Sequence, residues 1–132
     1  MPFVLDASAA AAWCFPDEAT PAANRALDRL QRDEAIVPSL WWFEIRNVLV
    51  VNERRGRLDA EDTAAFLQEL ERLPIRTDSD PGERLALALA RRHGLTFYDA
   101  AYLEISVRMD APLATIDRAL QAAAQAEGIA LI

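Results

Sequence analysis

Four carboxylates carry the chemical interest of this sequence, and Glu44 is the most telling of them. It sits within Leu40–Val51, LWWFEIRNVLVV, a stretch otherwise dominated by apolar side chains. Burying an unpaired carboxylate costs on the order of several kcal/mol, so an acid here needs a cation, a hydrogen-bond partner or a proton. No arginine stands three or four residues away to pair with it along a helix. Asn47, three residues on, would share its helical face. Asp6 closes the apolar run Pro2–Leu5, Asp99 follows Gly94-Leu95-Thr96, and Asp117 follows Pro112–Ile116. Four bare carboxylates brought close together would repel and could not all stay ionised. A divalent cation removes the conflict, and oxygen-only ligands favour Mg²⁺ or Mn²⁺ over zinc. Ser8, Asn47 and Thr115 each lie two or three residues from an acid, placed to hydrogen-bond a carboxylate or a metal-bound water.

Taken singly, three of the acids also have plain structural roles. Asp6 and Asp117 are good helix caps, and Asp99 suits the third position of a capping box begun by Thr96. Glu44 has no such role.

The elements that must position these residues follow from the apolar pattern. Pro2–Leu5 reads as a strand running into an alanine-rich helix, Ala7 to Phe15, broken by Pro16. A helix over about Pro21–Arg32, a buried strand at Ala35–Val37, and a helix from Leu40 to about Arg55, capped by Ser39 and ended by Gly56, come next. Asp59, with Asp62 at the third helical position, caps a helix to about Leu73. Pro74–Thr77 is a strand candidate, Pro81–His93 a helix closed by Gly94, and about Asp99–Val107 another helix. Pro112–Ile116 is a strand, a helix runs to about Glu127, and Ile129–Ile132 is a last strand. This alternation predicts a single α/β domain over residues 1–132, a three-layer α/β/α sandwich around a mostly parallel, roughly five-stranded sheet. In such folds ligands collect beyond the carboxyl ends of the strands, where the four acids are expected.

Bulk properties narrow the function classes. The chain has 132 residues, 52% of them hydrophobic and 27% charged, as expected of a globular soluble protein. No apolar run approaches the roughly 18 residues needed to span a bilayer. The start meets an acid at position 6 without a basic segment, so a secretory leader is not expected. One cysteine, Cys14, reads as a small buried apolar residue in a reducing cytoplasm. The net charge of −7 argues against broad adhesion to nucleic acid, yet leaves room for a nuclease whose positive charge comes from metal ions. All the basic residues besides His93 are arginine, which removes Schiff-base and P-loop lysine chemistry. His93, at a helix end after Arg91-Arg92, reads as structural or solvent-exposed. Arg54, Arg55 and Arg57 read as a solvated face, and the aromatics Trp13, Phe15, Trp41, Trp42 and Phe43 as core, with any exposed subset forming a partner surface.

In order along the chain, VLDASAAAAWCFPDE, PSLWWFEIRNVL, FYDAAYLE and LATIDRAL resemble the PIN-domain family, in particular the VapC-type toxins of bacterial toxin–antitoxin pairs. The resemblance implies a Mg²⁺- or Mn²⁺-dependent endoribonuclease of the cytoplasm. It matches Asp6, Glu44, Asp99 and Asp117 to the family's catalytic, metal-binding acids, with Asp117 acting mainly through a second ion or a water. It also implies a homodimer and a small antitoxin that covers an aromatic-lined groove and blocks the site. One rival is a receiver or dehalogenase-like domain, which would need a lysine that this chain lacks. A second is a catalytically silent module that keeps the scaffold and acts only through a protein partner.

Overall fold

The computed structural model describes all residues from Met1 to Ile132. Its strands are β1 (Phe3–Leu5), β2 (Ala35–Pro38), β3 (Ile75–Asp78) and β4 (Leu113–Ala114). Its helices are α1 (Ala7–Ala12), α2 (Pro21–Arg29), α3 (Leu40–Arg54), α4 (Ala60–Glu71), α5 (Glu83–His93), α6 (Phe97–Met109) and α7 (Arg118–Ala126). All strand pairs are parallel and the spatial order is β3-β2-β1-β4. Parallel strands covered on both faces need apolar side chains throughout, and every residue of β1, β2 and β4 is buried. Helices cover the sheet, as expected of an α/β/α sandwich, but the sheet has four strands. The expected fifth, Ile129–Ile132, contributes one parallel bridge, Leu113 to Leu131, beside the very short β4.

The order of the strands creates a break in the winding. From β1 the chain steps outward to β2 and β3, then returns to place β4 on the other side of β1. In folds of this kind the carboxyl ends of the strands at such a break are where ligands collect.

Helix α6 crosses the centre of the molecule. Ala100 to Ser106 are all buried, so the helix is covered all round and lies against β1, β2, α5 and α7. Its one buried charge, Glu104, accepts from Arg108 Nε at 2.6 Å and from the Gly82 backbone at 3.1 Å, and Arg108 also reaches Asp78 at 2.6 Å. A charge this deep survives only with such partners, and here they bind α6 to the end of β3 and the start of α5. His93 Nε2 and Arg92 both meet Glu127, at 2.6 and 2.8 Å, fastening α5 to the end of α7. His93 is thus structural.

Several boundaries differ from the apolar pattern for local reasons. The first helix stops at Ala12, and a 3₁₀ turn at Pro16–Glu18 follows, because Pro16 has no N–H to continue the ladder. Helix α2 ends at Arg29 and not Arg32, where the chain turns towards β2. Ser39 has helical backbone angles and makes no capping bond, so it does not cap α3 as its residue type suggests. Helix α6 begins at Phe97, two residues before Asp99, with Thr96 as its cap. The Asp59–Asp62 capping box is present in full. Cys14 is only partly buried, in the turn after α1. Phe15 and Trp41 join the core and Trp13 is partly buried, whereas Trp42 and Phe43 are exposed. Arg57 is no free surface charge: it bonds Asp17 and Asn52 and lies over the Phe15 ring.

Candidate active site

Asp6 stands in the first residue after β1, held there by its own backbone N–H, which donates to the Ala114 carbonyl at 2.9 Å. Extended backbone angles make it the N-cap of α1, yet its side chain makes no capping bond. The carboxylate turns instead towards β4. Ser8 Oγ and Thr115 Oγ1 both donate to Asp6 Oδ2, at 2.6 and 2.7 Å. Thr115 Oγ1 in turn accepts from the Asp117 backbone N–H at 3.0 Å, and Ser8 Oγ accepts from the Ile116 N–H at 3.2 Å. Two adjacent strand ends are thereby stitched together around one carboxylate oxygen. Asp117 follows this loop and caps α7, its Oδ1 accepting from the Leu120 N–H at 3.0 Å. That leaves its Oδ2 without a protein partner.

The other two acids come from helices. Asp99 occupies the third position of α6, where its backbone N–H donates to the Thr96 Oγ1 at 3.1 Å. Only this half of the capping box forms, so the Asp99 carboxylate is not used up in the cap. Glu44, in the second turn of α3, is half-buried and accepts from the Tyr102 hydroxyl at 2.5 Å. Glu44 therefore has a residue for a partner, where the sequence pointed to a cation. Tyr102 lies three residues after Asp99 on α6, a spacing that places both on one helical face and is readable from the sequence. Asn47 is exposed on α3 and makes no hydrogen bond to the acids. The buried amide of this helix is Asn52, which donates to the Val48 carbonyl and accepts from Arg57.

The carboxylates act on one another. Burial is the main cause raising the Asp6 pKa above the ordinary range; the Ser8 and Thr115 hydroxyls oppose the rise, and the charges of Asp99 and Asp117 add to it. Glu44 is raised first by burial, against the Tyr102 hydrogen bond, with Asp6 and Asp99 adding repulsion. Asp99 is raised by burial and by Asp117, with Thr96 opposing. No arginine or histidine takes part in any of these balances. The site is an anionic cluster of oxygen donors at the break in strand order, relieved by no protein cation.

Such a donor set suits a hard divalent cation chemically. No three acidic, histidine or cysteine side chains stand in an arrangement that would already grip an ion. The fit is one of donor type, charge and location.

Comparisons with known proteins agree with this architecture. The family model for the PIN domain matches residues 3–131. The chain is 35% identical over 124 residues to ribonuclease VapC3 of Pyrobaculum aerophilum, covering 91% of this chain and 92% of that protein. Among solved structures it is similar to PAE2754 of Pyrobaculum aerophilum, with a TM-score of 0.73 and 27% identity, covering 93% of this chain and 79% of the other. It also shares its fold with FitAcB of Neisseria gonorrhoeae, with a TM-score of 0.67 and 16% identity over 100% and 96% of the two chains.

Proposed function

This chain belongs to the PIN-domain family, VapC type, and from that premise we propose that it is a Mg²⁺- or Mn²⁺-dependent endoribonuclease, the toxin of a toxin–antitoxin pair. The observation that carries the reading is the cluster in which Asp6 feels the charges of Asp99 and Asp117, Glu44 those of Asp6 and Asp99, and Asp99 that of Asp117, with no protein cation among them. Nuclease chemistry on a phosphodiester brings another anion to this place, which the bare site would reject.

Asp6, Glu44 and Asp99 would hold the cation, and Asp117 would serve a second ion or the attacking water. Bound there, the cation supplies a water of lowered pKa and absorbs charge on the phosphate oxygens. The chain's own residues supply the orientation. Ser8 and Thr115 fix the Asp6 carboxylate by binding its Oδ2, which leaves Oδ1 free of hydrogen bonds. The cap to Leu120 fixes Asp117 in the same way and leaves its Oδ2 free. Exposed Phe97 and Tyr98 immediately precede Asp99 in sequence and offer rings on which an unpaired base could stack. The protein would act in the cytoplasm as a single domain and as a homodimer. A small antitoxin would cover exposed aromatics such as Trp42 and Phe43. No helix is long and apolar enough to cross a membrane.

Purified protein with Mg²⁺ should cleave RNA, and Asp6→Asn or Asp99→Asn should abolish the cleavage while the fold is kept. Cleavage retained in both folded variants would place the activity elsewhere. Loss of all activity in the wild type, with a small protein co-purifying tightly, would instead favour a silent module acting through its partner.

A further inference from the structure

Tyr102 has no exposed surface, yet its hydroxyl leaves the apolar core to meet the carboxylate of Glu44. A buried phenol needs a hydrogen-bond partner, and most such partners are backbone or water. This one donates to a carboxylate, Glu44 Oε1, at 2.5 Å, across two helices that are 58 residues apart in sequence at this point. The contact divides the two oxygens of Glu44. Oε1 is occupied by the phenol, and Oε2 has no hydrogen-bond partner. Left alone, a half-buried glutamate would sample several rotamers. The rigid ring, fully buried in the hydrophobic core, cannot share that freedom.

We infer that Tyr102 is a positioning residue: its hydroxyl fixes Glu44 in one orientation and leaves Oε2 as the single oxygen offered to a divalent cation. The inference rests on the metal-dependent reading of the acid cluster. Groups that orient a metal-binding side chain in this manner typically change metal affinity by about 10–100-fold.

Tyr102→Phe keeps the ring and removes only the hydroxyl. Calorimetric titration with Mn²⁺ should show binding weakened about tenfold, and the Mn²⁺ concentration for half-maximal RNA cleavage should rise in parallel. The cleavage rate at saturating Mn²⁺ should stay within about threefold of wild type, since the hydroxyl acts through Glu44 and not on the substrate. In a Glu44→Gln background the same substitution should weaken Mn²⁺ binding no further, because the group it orients is already altered. Wild-type Mn²⁺ affinity in Tyr102→Phe, while Asp99→Asn loses binding, would overturn the inference and leave the metal site standing. A lower melting temperature with unchanged Mn²⁺ affinity would overturn it too, by assigning Tyr102 a purely structural bond. Absence of Mn²⁺ binding by the wild type would overturn both this inference and the reading beneath it.

Discussion

Thr115→Val removes one hydroxyl from the point where the ends of β1 and β4 meet, and its effect can be worked out from the bonds present. Thr115 Oγ1 donates to Asp6 Oδ2 at 2.7 Å and accepts from the Asp117 N–H at 3.0 Å. Both Thr115 and Asp6 are buried, 2% and 5% exposed, so water cannot readily replace the lost partner. A hydrogen bond to an ionised group contributes about 1.5–3 kcal/mol, and the neutral amide bond adds about 1. Valine fills the same space, so the expected loss is about 2–4 kcal/mol, with no cavity to confuse it. Urea denaturation in the presence of chelator measures this directly, as a lower midpoint at unchanged slope.

The pH dependence gives the effect a signature. The Thr115 bond favours the ionised form of Asp6, whose pKa burial raises above the ordinary carboxylate range. Its contribution is therefore present above that raised pKa and fades as falling pH protonates Asp6. The difference between wild type and Thr115→Val should shrink between about pH 8 and about pH 4, towards the roughly 1 kcal/mol of neutral bonds. Thr115→Ser, which keeps the hydroxyl, should retain most of the stability. A loss below about 0.5 kcal/mol at about pH 8, or one independent of pH, would refute the view that Thr115 holds the charged form of Asp6.

Two further outcomes are expected. Asp6, Glu44 and Asp99 all have pKa values raised chiefly by burial, so between their unfolded and folded pKa values the native chain holds more protons than the unfolded one. The contribution of these three groups to the stability of the metal-free protein should then be fully present at acid pH and fall as pH rises through that window, and Mn²⁺ should raise the melting temperature more at about pH 8 than at about pH 5; an equal rise at both would contradict the electrostatic account. At Gly82, an added Cβ would meet Glu104 Oε1 at 2.6 Å, and that carboxylate is clamped by Arg108. Gly82→Ala should cost about 1–3 kcal/mol by chemical denaturation, and a neutral result would mean that the clamp yields easily.

Much of the candidate site was legible in the sequence because its acids sit at positions that strands and helices define. Asp6 and Asp117 follow apolar runs that read as buried strands, and Glu44 interrupts an apolar helix. Spacing alone did not reveal which hydroxyls the carboxylates use. Ser8 and Thr115 lie two residues from Asp6 and Asp117 respectively, yet Thr115 binds Asp6, a cross-strand contact that depends on β1 and β4 being neighbours. Tyr102 was hidden for a related reason: a tyrosine in an apolar helix reads as core, and its ring is core while its hydroxyl is not. Asn47 was the opposite case, an amide on the expected face that the structure leaves exposed, while Asn52 one turn later is buried. The fifth strand was overcounted because Ile129–Ile132 is apolar enough for a strand but pairs with a β4 of only two residues.

The central claim, that these carboxylates form a metal-dependent nuclease site, is tested most directly by one titration. Protein stripped of metal by a chelator is mixed with RNA, and single-turnover cleavage is followed as Mg²⁺ is added back. Cleavage rising from background to a plateau with added Mg²⁺ in the wild type, and staying at background in folded Asp99→Asn, is the predicted result. Cleavage that proceeds equally with and without Mg²⁺, or a Mg²⁺ response that Asp99→Asn shares, would contradict it.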